Sequence, residues 1–152
     1  MDYIKMNRWL LDQCYSSNGV TVCLLDGAKM FCTKSVFVII PNQEIKVAYF
    51  NYCAGSPGLA DSLFDGNTYA KEATFHGDYI VRKVGCKKLT LAKLYNGSAH
   101  RYVDEKLLKM FEDRSQLQVY RFADEIDKYP IIYILEDNSI IGGILPVKYN
   151  EG

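Results

Sequence analysis

Residues 136–152 read EDNSIIGGILPVKYNEG: a turn signal at Asp137-Asn138, seven residues almost all apolar or glycine, then Pro146 and a polar end. A run this apolar predicts a strand that completes a layer under a helix, because a helix on one sheet face buries itself only when the sheet beneath it is whole. Pro146 has no N–H to give, which suits a strand that leaves its ladder or lies on an edge. Gly142-Gly143 predicts close packing or a bulge. It does not predict a phosphate loop, since no helix start follows it.

Working back from this strand, Asp104 is placed to cap a helix, DEKLLKMFED, with Leu107, Leu108 and Phe111 as its apolar stripe and Val103 ahead of the cap as a hydrophobic staple. LQVYRFA, YPIIYILE and SIIGGILPV then read as three successive strands. The opening of the chain has the same order. Met6, Trp9, Leu10 and Cys14 fall at helical spacing between Met6 and Tyr15, and residues 16–19 stop the helix. VTVCLLDGAKMFCT follows as a hairpin about Asp26-Gly27, its second run continuing to Pro41, with EIKVAYFNY as one more strand. From the first helix leucine to the proline is 31 residues in the first part (Leu10 to Pro41) and 39 in the second (Leu107 to Pro146).

The middle is less regular. AGSPG reads as a loop and LADSLFDG as a short helix ending at Gly66-Asn67. TFHGDYIVRKV and KLTLAKLY read as strands joined through Gly85-Cys86-Lys87-Lys88, with a further turn at Asn96-Gly97. The expectation is an α+β fold in which two pseudo-repeated helix-plus-antiparallel-meander units form a single domain over residues 1–152. The first unit spans about 1–52, an irregular insertion about 53–78, and the second unit about 79–152.

A chain of 152 residues with 49% hydrophobic and 13% aromatic content has enough apolar side chain for a real interior. Formal net charge is zero, so no whole-molecule field draws it to nucleic acid or membranes, and attraction must come from a local patch. Such a patch is present in the sequence. Residues 79–109 hold eight basic groups (Arg82, Lys83, Lys87, Lys88, Lys93, Arg101, Lys106, Lys109) against Asp104 and Glu105, a net of +6, while residues 110–152 carry −4 and residues 1–78 carry −2. One face should therefore attract phosphates without reading bases. A solvated basic strand edge that deters aggregation accounts for the same residues.

The N-terminal stretch lacks the pattern of a secretion signal, and no run approaches the roughly 18 apolar residues of a spanning helix. Five scattered cysteines (Cys14, Cys23, Cys32, Cys53, Cys86) form no CxxC pair and read as reduced core residues, so a cytoplasmic protein is expected. Chemistry is sparse. His76 and His100 are the only histidines. His76-Gly77-Asp78 could suggest a base oriented by a carboxylate. Cys86 has lysine neighbours that favour a thiolate, yet nothing links it to His100. Asp124, Glu125 and Asp127 cluster in a turn that could attract a hard cation, but read better as a solvated tip. No nucleotide, zinc-protease or hydrolase motif occurs, and no cofactor is expected. Of the twelve tyrosines, Tyr49, Tyr52, Tyr120, Tyr129 and Tyr133 are expected on strand faces, where exposed ones would anchor protein partners.

The order of elements resembles one domain of a DNA sliding clamp, the bacterial clamp and its eukaryotic relatives. YVDEKLLKMF resembles the strand entry and helix that open each clamp half. IIGGILPVKY resembles the hydrophobic closing strand of bacterial clamps, and AKMFCTKSVFVII, with Thr33, the position of their threonine-aspartate-glycine turn. Lys34-Ser35 departs from that turn, and residues 53–77 match no part of it. The resemblance implies a non-enzymatic, replication-associated protein which engages duplex DNA or replication or defence proteins as a homo-oligomer, and its single-domain size and departures from cellular clamps imply a phage or mobile-element origin. Clamp helices face the duplex, so Arg8, Lys106 and Lys109 would lie nearest DNA, with Arg82, Lys83, Lys87 and Lys88 completing the basic face. Two other readings compete: a protein-interaction or inhibitor module using an edge strand and exposed tyrosines, and a small hydrolase using His76 or Cys86.

Overall fold

The structure is a computed structural model that describes residues 1–16, 19–47, 52–85 and 87–148, without the side chains of residues 52, 76–78, 82 and 84. Helix α1, Tyr3–Tyr15, starts where the Asp2 carboxylate accepts from the N–H groups of Ile4 and Lys5, each at 3.1 Å. That satisfies two of the donors a helix start leaves open. Met6, Leu10 and Cys14, four residues apart, form its buried stripe. Strands β1 (Val20–Leu25) and β2 (Ala28–Cys32) close around Asp26-Gly27, with Gly27 at φ +72°, and β3 (Val36–Pro41) ends on its proline. Asp104 caps α3, Glu105–Phe111, by accepting from the Lys106 N–H at 3.0 Å. Strands β8 (Val119–Phe122), β9 (Ile132–Glu136) and β10 (Ser139–Ile144) follow. Asp137 and Asn138 turn β9 into β10 with φ of 49° and 64°, the paired positive values of a tight hairpin.

Between the two parts lie β4 (Tyr52–Ala54), β5 (Lys71–Val84), β6 (Lys87–Tyr95) and β7 (His100–Asp104). The chain is thus α+β, and among the described residues ten strands form one sheet in the order β4-β1-β2-β3-β10-β9-β8-β5-β6-β7. The closing strand lies in the middle of that order. It joins the two meanders, pairing antiparallel with β3 (Gly142 with Val38, Gly143 with Phe37, Ile144 with Val36) and with β9 on its other side. A bulge falls between Ile140 and Gly142. A Cβ on Gly142 would stand 2.3 Å from the Phe111 ring and 2.6 Å from the Phe37 carbonyl, and one on Gly143 would stand 2.3 Å from the Phe37 ring. These glycines let one aromatic side chain from each half cross the seam.

Helices α1 and α3 cover the same sheet face. Met6, Leu10, Met110 and Phe111 share a core with Val38, Ile40, Phe122, Ile132, Ile134 and Ile144. The insertion covers the other face. Its short helix α2 (Leu59–Phe64) and the following 3-10 helix (Asp65–Tyr69) pack Leu59, Leu63 and Phe64 over Phe37, Tyr133 and Leu135. The Tyr133 hydroxyl donates to the Leu63 carbonyl. Strand β9 is consequently buried at every position, on both faces and not on one alone.

Past Ile144 the chain leaves the ladder before Pro146, and the Val147 N–H donates to the Tyr102 carbonyl at 2.7 Å. Tyr102 belongs to β7, His100–Asp104, five strands away. Laid flat, that separation would be about 24 Å at roughly 4.8 Å per strand, while three residues reach only about 11 Å. The sheet from β10 to β7 therefore curls around α3.

Several expected elements differ. EIKVAYFNY is not one strand. Residues 42–44 form a 3-10 turn and 45–47 no strand, 48–51 lie outside the described residues, and β4 is only Tyr52–Ala54, parallel to β1. The cause is Asn7, whose side chain accepts from the Lys46 N–H and donates to the Glu44 carbonyl, taking groups a ladder would need. Strand β5 begins at Lys71, and Lys87-Lys88 lie inside β6 (Lys87–Tyr95) and not in the connection. Among the cysteines, Cys14 and Cys23 are buried, Cys32 is half-buried, Cys53 is exposed and Cys86 lies outside the described residues. Among the described residues no helix is long and apolar enough to cross a membrane.

Candidate nucleic-acid interface

Strand β5, Lys71–Val84, is long because it belongs to two neighbourhoods. Only Lys71–Ala73 pair with β8, whereas β6 pairs with β7 only from Leu91 onward. Residues 81–84 and 87–90 pair with each other alone, as a two-stranded ribbon reaching beyond the sheet. Four of these eight residues are basic (Arg82, Lys83, Lys87, Lys88) and none is acidic.

Register fixes where these charges sit. Lys83 stands directly opposite Lys88, two positions along from the Val81–Thr90 pair and four from Tyr79–Ala92. Cross-strand partners share a face. Ala92 belongs to the core beneath the helices, so Lys83 and Lys88 lie on the helix side of the sheet. Lys87, next in sequence to Lys88, takes the opposite face. The backbone of Arg82 pairs with Leu89, and its side chain lies outside the described residues.

On that helix side α3 adds Lys106 and Lys109, both exposed. Lys109 pairs with Glu105 at 2.5 Å, one helical turn back, and this hydrogen bond and charge raise its ammonium above the ordinary lysine value. Arg8 is exposed on α1, the other helix of the same layer. Among the described residues, Arg8, Lys83, Lys87, Lys88 and Lys106 enter no ion pair. Like charges placed directly across a strand pair oppose sheet formation. Lys83 and Lys88 are therefore unhelpful to the ribbon itself.

The remaining cations of the basic segment have other tasks. Arg101 is buried: its guanidinium donates to the carbonyls of His100, Ala123 and Asp124 and lies 4.9 Å from the Phe122 ring centre. Burial pulls its pKa down, against the pull of Asp124. Lys93 approaches the Tyr102 ring at 5.8 Å. Outside that segment, Lys5 of α1 donates to the carbonyls of Lys109 and Glu112 at 3.0 and 2.9 Å, completing the C-terminal end of α3.

Two exposed rings beside these lysines escape a reading of charge alone, Phe75 and Tyr79, with centroids 5.1 Å apart. Their signal in the sequence is alternation, since Tyr79, Val81 and Lys83 share one strand face. Of the tyrosines expected on strand faces, Tyr133 lies in β9 as a core residue and Tyr120 in β8, half-buried. Tyr129 is in no strand and stacks on Tyr69 at 4.6 Å, Tyr49 lies outside the described residues, and the Tyr52 side chain does too.

The side chains of His76 and Asp78 and all of Cys86 lie outside the described residues; His100 is exposed and meets Tyr102 edge-on. Among the described residues no group of three His, Cys, Asp or Glu is placed to hold a metal. Asp124 is bound to Lys71 at 2.8 Å and to Asn96 at 3.1 Å, and its carboxyl sits below the usual range, chiefly through Lys71. A groove of about 720 Å3 between α2 and the sheet includes Cys32, Phe37, Leu63 and Ile131. Burial and the neighbouring Cys23 push the Cys32 thiol up to about 12, so it stays protonated and a poor nucleophile.

No family model matches this chain, and no curated protein or solved structure is significantly similar to it.

Proposed function

We propose that this chain is a non-enzymatic, clamp-like binding protein that holds nucleic acid against the face formed by α3 and the β5–β6 ribbon. The observation that carries the proposal is the placing of Lys83, Lys88, Lys106 and Lys109 on one side of an electrically neutral chain, with only Lys109 paired. Cations whose mutual repulsion burdens their own ribbon serve best against an external polyanion. The clamp-like part of the proposal draws on the order of helix and three antiparallel strands, present twice, with both helices on one face.

Titration of the full chain with a labelled duplex over a range of salt tests the proposal. Three to four neutralised phosphates give a plot of log K against log salt with a slope of about −3. Replacing Lys83→Gln and Lys88→Gln together reduces that slope by about 2. Absence of binding at low salt to duplex and single strand alike removes the proposal. It would leave a protein-binding module, for which the open edges of the ribbon offer a strand-pairing surface. Light scattering gives the assembly: a clamp-like ring of single-domain chains needs six copies.

A further inference from the structure

Phe75 and Tyr79 are 37% and 53% exposed, on the same side of the sheet as the ribbon lysines. Phe75 pairs with Leu94 and Tyr79 with Ala92, both core residues under the helices, so the two rings emerge beside α3. Four residues separate them along β5, about 13 Å in a regular strand. Their partners on β6 are only two residues apart, because a bulge interrupts the register between Phe75 and Tyr79. The bulge draws the ring centres to 5.1 Å, inclined at 53°. Lys109 of α3 is close enough to Tyr79 to interact with it electrostatically, and the Lys83–Lys88 pair follows four positions along β5 from Tyr79.

A basic track beside exposed rings is suited to unpaired bases. Every base offers a π-face to an aromatic side chain once it leaves a duplex, while phosphates follow the cations. A duplex keeps its base faces stacked inside and presents only edges and backbone. It would use the lysines and leave both rings idle. We propose that the ligand of this face is single-stranded nucleic acid, with bases stacked on Phe75 and Tyr79 and phosphates on Lys83, Lys88 and the lysines of α3. This rests on the nucleic-acid reading above and narrows it.

The test is fluorescence anisotropy of the full chain with a labelled oligothymidylate and, at the same salt, a duplex of equal length. The single strand is expected to bind more tightly. Tyr79→Ala is expected to weaken it by about 5- to 150-fold, the range for losing one base–aromatic stack, whereas Tyr79→Phe retains binding. Lys83→Gln weakens both forms. Equal or tighter duplex binding, with Tyr79→Ala and Phe75→Ala without effect, overturns the single-strand assignment and leaves a phosphate-binding face. Failure of both nucleic acids to bind at low salt overturns that face as well. Thermal melting establishes that each variant is folded.

Discussion

Strand β9 and the β5–β6 ribbon are both antiparallel and both rich in strand-forming residues, yet they lie in opposite surroundings. From Ile132 to Glu136 every residue of β9 is buried, with α1 and α3 over one face and α2 over the other. At its end a buried carboxylate is fully partnered: Glu136 accepts from the Met1 ammonium and from Gln118, each at 2.6 Å. In the ribbon Val81 is 60% exposed and two lysines oppose each other with no counter-charge. The covering layers, and not the strand pairing, separate a buried core strand from an exposed one. An isolated two-stranded ribbon is marginally stable in water, so unfavourable charges there are tolerated only because the rest of the sheet anchors its base.

Removing the cover should have the largest effect. Phe111→Ala takes away the ring that lies on Gly142 in the seam and should lower unfolding free energy by about 3–5 kcal/mol, read from the urea midpoint. A change below about 1 kcal/mol would mean that α3 does not hold the central strands.

A smaller effect should come from pH acting on the anchored end of β9. Burial is the largest single influence on the Met1 ammonium and pulls its pKa down, but its hydrogen bonds and ion pairs with Glu136 and Asp113 together outweigh it and raise the pKa above 8.0. Its stabilisation is complete below pH 8.0 and is lost as pH rises through the raised value. Asp113 is held at about 2 by Ser115 first and by the ammonium second, so its stabilisation is present above pH 3.8 and is lost as pH falls towards about 2. The urea midpoint should therefore be highest between these limits and decline on both sides. A midpoint that does not decline above pH 8 would show that this anchor contributes nothing.

The smallest change should be in the ribbon, with opposite sign. Lys83→Glu places a carboxylate across from Lys88 and should stabilise the chain by about 0.2–1 kcal/mol while weakening nucleic-acid binding more than Lys83→Gln does. Destabilisation, or retained binding, would break the contrast between a strand kept for stability and one kept for contact.

Local chemistry made much of this legible in the sequence. Asp26-Gly27, Asp137-Asn138, the Asp104 cap and Pro41 each act within a few residues, and each marks the expected turn, start or stop. What failed depended on distant partners. Residues 45–47 carry a strand pattern, but Lys46 gives its N–H to the Asn7 side chain, which also takes the Glu44 carbonyl just before them. The insertion has no clear period because its short helices only cap a face formed by other segments. Lys87-Lys88 look like a turn by charge but continue a ladder, pairing with Val84 and Lys83. The charge run showed which segment was basic, but only the register showed that Lys83 and Lys88 face the side of α3 while Lys87 does not.

The pairing of β3 with β10 has a consequence for how the chain acquires its shape. Val38 waits for a neighbour more than a hundred positions later in the sequence, so the opening meander emerges from the ribosome with one flank bare. Closing so long a loop is entropically slow, and such non-local seams retard folding. Until residues 142–144 dock, that flank is an unpaired strand edge, the kind of template on which other chains aggregate.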